Sequence, residues 1–234
     1  MTFGPGAAPG TPALDDKSNL FTIGGGVVLN GLSAGLEIYA EGYLQFGAAG
    51  QFIDAGSEEE AKGRGKAGQV GFEYRVDSER AIWFGVNVTY VSGDGDNQAD
   101  DENVDSFLSY ENVRDLMILE DQYFGFDVDV NYTAFKISGG VSFNVGQGKN
   151  NLELMGIVGI CRANEDIQNG AENEEDLGNE FDLVVKYHLN KQVMLKFGFA
   201  YITGSDIMEE AMGGSASDDS DDKGFLWSLG FDAA

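Results

Sequence analysis

A single histidine, His188, limits any general-base or nucleophilic chemistry, because a Ser/His/Asp constellation would have to be built around it. No G-x-S-x-G elbow or other activated-nucleophile signature accompanies it. Asp182, Lys186 and His188 are separated by even spacings, which puts all three on one face of a strand. That pattern describes a polar wall residue better than a catalytic base, so the chain is expected not to be an enzyme. GRGKAG at Gly63–Gly68 matches G-x-G-x-x-G by letter, but it leads into a strand, whereas a phosphate cradle opens a helix. The one cysteine, Cys161, excludes an internal disulfide, and no Cys/His cluster suits zinc.

The more prominent chemistry is acidic. Asp and Glu number 40 against 14 Lys and Arg, for a net charge of −26, which removes nucleic acid as a partner because phosphate binding needs a basic face. Most of the acids fall in four polar stretches: Gly47–Lys66, Gly93–Asn131, Arg162–Gly178 and Gly204–Lys223. Hard oxygen ligands at such density suit Ca²⁺, and Asp94, Asp96, Asp218 and Asp219 are the candidate ligands. The EF-hand pattern is not met, since Ala99 stands where its glycine belongs and Asp105 where its glutamate belongs. A solvated acidic surface is the simpler reading, and no other cofactor is expected.

These residues are carried by strands. No run of 18 apolar residues could cross a membrane as a helix, whereas period-2 alternation holds in nine segments of about ten residues, the length of a tilted membrane strand. The segments are Asn19–Leu29, Ala34–Phe46, Ala67–Asp77, Ala81–Tyr90, Thr133–Val145, Leu152–Cys161, Phe181–Leu189, Val193–Tyr201 and Phe225–Asp232. Their connections alternate between short and long, as in outer-membrane barrels with tight periplasmic turns and large external loops. The polar face carries Glu37, Glu41, Glu73, Arg75, Lys136, Asn144, Glu153, Glu180, Asp182, Lys186 and Lys196, with His188 beside them. Those of them that would line a pore and meet its solute are Arg75, Lys136, Lys186, His188, Lys196, Glu37, Glu41, Glu73, Glu180 and Asp182. Tyr90, Tyr187, Tyr201 and Trp227 are placed to form an aromatic girdle on the apolar face.

The expected fold is therefore all-β: an antiparallel up-and-down transmembrane β-barrel, or a 9–10-strand portion of a larger one, with long acidic external loops. Residues 1–17 read as a loop or N-terminal remnant and 18–234 as the barrel portion. Nine crossings leave the N-terminus on the external side, which suggests that earlier strands are missing; a tenth strand within Gly125–Tyr132 would remove that inference. Between Asp105 and Asp121, Phe107, Tyr110, Val113, Leu116 and Met117 fall at helical spacing, which predicts a short helix folded against the barrel mouth as a constriction, or a loop packed on its neighbours. The alternative from another class is a soluble β-sandwich binding carbohydrate through calcium-bridged acidic loops, since a sandwich also alternates.

Three stretches together resemble the alginate export family of bacterial outer-membrane β-barrels, in its C-terminal part. They are GLEIYAEGYLQFG at Gly35–Gly47, KAGQVGFEYRVDSERAIWFGVNVTYVSGD at Lys66–Asp94, and LGNEFDLVVKYHLNKQVMLKFGFAYITGSD at Leu177–Asp206. The resemblance implies an outer-membrane location among lipid and lipopolysaccharide, and a channel for passive passage or export of an anionic polysaccharide or another polar solute. The family's lumen is rich in arginine. Here the clear cations of the polar face are Arg75, Lys136, Lys186 and Lys196, outnumbered by acids, so the architecture transfers more securely than the substrate.

Overall fold

The computed structural model describes residues 19–54, 57–76, 81–94, 103–107, 116–120, 128–145, 152–169, 172–190, 192–204 and 223–233. Eleven strands form one sheet: β1 (Asn19–Asn30), β2 (Leu36–Asp54), β3 (Ser57–Gly63), β4 (Lys66–Val76), β5 (Ile82–Val91), β6 (Asn103–Val104), β7 (Tyr132–Phe143), β8 (Leu152–Asn169), β9 (Glu172–His188), β10 (Val193–Thr203) and β11 (Lys223–Ala233). Sequential neighbours pair antiparallel from β1 through β11; only the two-residue β6 runs parallel, against β3. β3 and β4 both pair with β2 and behave as one strand interrupted at Arg64–Gly65, where the Gln45 N–H still donates to the Gly65 carbonyl at 2.7 Å. Counted so, nine strands cross the sheet, the number the alternation predicts.

Two stretches expected to be loops prove to be hairpin extensions. β2 continues to Asp54 across a bulge at Ala48/Gly50 and turns back as β3, and β8 and β9 continue their ladder to the Asn169↔Glu172 pair. GQFID, SEEEAK and the ends of β8 and β9 lack the alternation that would reveal the ladder in the sequence. Residues 128–131 contain no strand, and the rest of the possible tenth strand, at 125–127, lies outside the described residues. The sheet is open: β1 and β11 are its two edges.

Register fixes which side chains share a face. The transverse row Val28–Tyr39–Gly71–Asn87–Lys136–Gly159–Glu180–Ile202–Gly224 follows the pairing from β1 to β11. On this face the mid-strand charges of β7 and β9 are shielded: Lys136 is 2 % exposed, Glu180 1 % and Asp182 0 %. On the opposite face Phe84, Ile137, Phe181 and Phe197 are exposed, and on β11 Phe225 and Leu229 reach 75 %. The sheet is thus inverted relative to a water-soluble one, with charges covered and large apolar groups bare. Among the described residues no second layer packs on the apolar face, as a sandwich would require. Of the expected girdle, Tyr90 and Trp227 are exposed there, but Trp227 pairs with Phe199 in mid-strand instead of at a strand end.

The β1–β2 turn depends on Gly35, whose φ is +81° and whose added Cβ would overlap the Arg75 carbonyl oxygen on β4. The Arg75 N–H also donates to the Gly35 carbonyl at 2.7 Å. Gly35→Ala is expected to lower the urea midpoint of the detergent-folded chain by an amount corresponding to about 1–3 kcal/mol, through left-handed strain plus backbone displacement; Gly25→Ala, with open space around it, should leave the midpoint nearly unchanged.

Candidate functional site

The covered charges lie beneath a turn contributed by the long β5–β7 connection. Residues 116–120 fold back onto the inner face level with Asn87, deep in the sheet, and they form a hydrogen-bonded turn packed on its neighbours, the loop alternative for this part of the stretch. Residues 108–115, including Tyr110 and Val113, lie outside the described residues. Glycines make the floor: a Cβ on Gly159 would stand 2.5 Å from Leu116 Cδ1, and one on Gly198 would stand 2.5 Å from Met117 Cε. Leu116, Ile118 and Leu119 are buried with Phe107, Tyr132, Ile157, Cys161 and Ile202.

The turn closes on itself reciprocally. Glu120 N–H donates to the Leu116 carbonyl at 3.0 Å, while Leu116 N–H donates to Glu120 Oε2 at 2.8 Å. Its next three N–H groups are taken by carboxylates of β9: Met117 by Asp182 Oδ2 at 3.1 Å, Ile118 by Glu180 Oε1 at 2.6 Å and Leu119 by Glu180 Oε2 at 3.0 Å. A typical hydrogen bond inside a protein is worth about 0.5–1.5 kcal/mol net, so these three contacts together anchor a segment that has no ladder of its own. Lys136 on β7 completes the anchor through Glu120, at 2.8 and 2.7 Å to its two oxygens, with both side chains 3 % exposed. Asp182 Oδ1 is buried without a hydrogen-bond partner among the described residues.

Toward β1 a chain of side-chain hydrogen bonds runs across the inner face, with Asn87 and Thr89 buried and Glu41 and Gln69 half-buried. Tyr43 donates to Glu41 Oε2 at 3.2 Å, Gln69 to Glu41 Oε1 at 2.6 Å, Asn87 to Gln69 Oε1 at 2.9 Å and to the Tyr39 hydroxyl at 3.1 Å, and Thr89 to Asn87 Oδ1 at 2.9 Å. Tyr39 crosses over Gly71 to reach Asn87, since a Cβ on Gly71 would stand 2.6 Å from its hydroxyl. At the short-turn end, His188 Nε2 lies 3.1 Å from Glu153 Oε1, and Glu153, Lys186 and Lys196 follow one another across β8, β9 and β10. At the long-connection end, Ser92 Oγ donates to the Asp105 carbonyl at 2.6 Å and accepts from Lys66 N–H at 2.8 Å. Asn131, with φ of 57°, exchanges two hydrogen bonds with the Glu165 backbone.

The residues predicted for the polar wall, apart from Asn144, which follows the end of β7, lie on this inner face in three groups, with Glu153 beside the last. Lys136, Glu180 and Asp182 hold the turn; Glu37, Glu41 and Glu73 line the open trough, with Arg75 Nε 2.6 Å from Glu73 Oε1; Lys186, His188 and Lys196 stand near the short turns. Sequence reasoning missed Glu120, one of two acids that directly follow the apolar run LMIL, and the amides Gln69 and Asn87, which carry no signal. Of the candidate calcium ligands only Asp94 is among the described residues; Asp96, Asp218 and Asp219 lie outside them. Among the described residues no group of three or more Asp, Glu, His or Cys is arranged to hold a metal ion. The side chain beside His188 is Glu153, a carboxylate. No family model and no curated protein matches the chain.

The anchor can be tested through Cys161, the only thiol, which is 2 % exposed in the cluster beneath the turn. Lys136→Met leaves the Glu120 carboxylate buried without its cation, a change that costs about 3–5 kcal/mol when a buried pair is broken from one side. Cys161 should then react with a small maleimide at least about tenfold faster, each factor of ten requiring only about 1.4 kcal/mol. The double variant Lys136→Met/Glu120→Leu should restore most of the protection.

Proposed function

We propose that this sheet is wall of a β-barrel in a bacterial outer membrane, and that its inner face lines a passive pore narrowed by the turn at residues 116–120. The observation that carries this reading is the inversion of polarity: exposed Phe, Leu, Ile and Trp side chains on one face, covered Lys, Glu and Asp on the other. Bilayer hydrocarbon is the solvent in which that arrangement is stable, and β-strands cross it only when their backbone groups are paired along the sheet. β1 and β11 run in the same direction, so antiparallel closure takes an odd number of further strands between them. The arrangement speaks against the soluble sandwich, whose apolar face would be covered. The resemblance to the alginate export family fits the wall, while the acids of the trough depart from an arginine-rich lumen.

The pore reading supplies a role for the turn. Folded on mid-strand glycines, it fills part of the cross-section and leaves the trough beside β1, β2, β4 and β5 as the open path. Its backbone is irregular at membrane depth, which is tolerated where protein surrounds it and its N–H groups are satisfied.

The chain's two tryptophans test the membrane assignment, because they face opposite ways. Trp227 is 67 % exposed on the apolar face, and Trp83 lies over Gly140 on the inner face. In vesicles of brominated lipid, the Trp83→Phe variant, reporting Trp227, should lose most of its fluorescence. The Trp227→Phe variant, reporting Trp83, should retain most of it. Equal quenching of the two, or a chain that stays folded and monodisperse in plain buffer, would overturn the proposal.

A further inference from the structure

The apolar face carries a groove that ends in charge. Register aligns Gly25, Gly42, Gly68 and Tyr90 in one transverse row across β1, β2, β4 and β5. Ile23 and Leu44 stand along one side of that row, and Val70 and Val88 along the other. Between them lies a cavity of about 770 Å³, with Ile23, Leu44 and Val70 exposed around it. Neither a turn nor a close backbone approach calls for glycine at Gly25 or Gly42. A Cβ on the first would meet nothing within 4 Å, and one on the second only the Ala67 carbonyl oxygen at 3.9 Å. Glycine inside a strand weakens it, and its effect here is to leave space on the outer surface.

At the Tyr90 end the groove adjoins a second cavity, of about 330 Å³, which shares Lys66 and Tyr90 and adds Arg64, Ser92, Asp105 and Glu165. Arg64 and Lys66 are exposed, alternating with buried Gly63, Gly65 and Ala67. Lys66 pairs in register with Leu44, so a cation stands directly beside exposed apolar surface. Among the described residues neither cation's side chain forms an ion pair. A cation next to hydrocarbon is costly unless it reaches an anion at the interface.

We propose that groove and pocket together bind one phosphorylated glycolipid, with an acyl chain between the Leu44 and Val70 ridges, phosphate on Arg64 and Lys66, and sugar hydroxyls on Asp105 and Glu165. The site deepens the membrane reading and rests on it for the leaflet, since the long connections are then external. Charge and hydrogen bonding select the lipid jointly. Arg64 and Lys66 match a phosphate, the guanidinium in bidentate fashion, while the two carboxylates accept from hydroxyls and would repel a headgroup that brought phosphate alone.

The test is lipid retention by the full chain folded in a neutral detergent, read by native mass spectrometry. The probes are an acylated glucosamine disaccharide bearing phosphate, the same lipid dephosphorylated, and phosphatidic acid, which has the phosphate without the sugar. The first should be retained as a single molecule per chain, at least about tenfold more tightly than either of the others, and Arg64→Gln with Lys66→Gln should weaken it about tenfold, as expected for two exposed charge-assisted contacts. Gly42→Leu, which fills the groove from a position with open space, should abolish the preference while the far-ultraviolet circular dichroism spectrum and urea midpoint stay unchanged. Equal retention of the dephosphorylated lipid or of phosphatidic acid overturns the proposal, as does retention unaffected by the double substitution or by Gly42→Leu. Micelles need no bilayer, so the two readings fail separately. Selective retention with equal quenching of the two tryptophans keeps the site and removes the membrane wall; unequal quenching without selective retention does the reverse.

Discussion

Met117, Ile118 and Leu119 present three backbone N–H groups to an interior with no strand to receive them, and the carboxylates of Glu180 and Asp182 receive them instead. The arrangement of the inner face follows from that exchange. Carboxylates covered by protein need donors, an inserted turn needs acceptors, and each satisfies the other. The cost falls on Lys136 and Glu120, which must stay paired because neither has another route to solvent. Gly159 and Gly198 leave room for the Leu116 and Met117 side chains, which a Cβ at either position would force to move.

Covering the middle strands divides the inner face into zones with different chemistry. Beneath the turn the surface is packed and largely apolar apart from the anchoring charges. Beside it Glu37, Tyr39, Glu41 and Gln69 border a cavity, with Glu73 and Asn87 buried at its side, and near the short turns Glu153, His188, Lys186 and Lys196 mix both signs of charge.

How much of this was legible depended on whether its signal was local. The nine crossing strands were readable because Phe, Leu, Val and Ile must recur at every second residue wherever one face is apolar and the other polar. The continuation of β2 into Asp54 and the β3 hairpin was not, because GQFID and SEEEAK have no such alternation. The apolar run Leu116–Leu119 could be seen as something to be packed, but its seat is fixed by Glu180, 62 residues from Ile118, and by Lys136, 16 residues from Glu120. Nothing in a local window encodes such pairs. Gln69 and Asn87 are ordinary amides in the sequence; register alone places them beside Glu41 and Tyr39.

The extended hairpins carry one more consequence. From Gly47 to Asp54, and again from Arg162 to Asn169, the ladder runs past the apolar zone, and at about 3.3 Å per residue each projects roughly 25 Å. The sequence of these stalks is rich in Glu and Asp, and their spacing is that of a paired sheet, set by backbone hydrogen bonds and not by the repulsion between charges. Such a fringe behaves as a fixed-charge gel. Within about 8 Å of it, the Debye length at physiological ionic strength, mobile cations are enriched and anions depleted by Donnan partition. The medium around these hairpins is then a local electrolyte with its own composition, responding to external salt as an ion-exchange resin does.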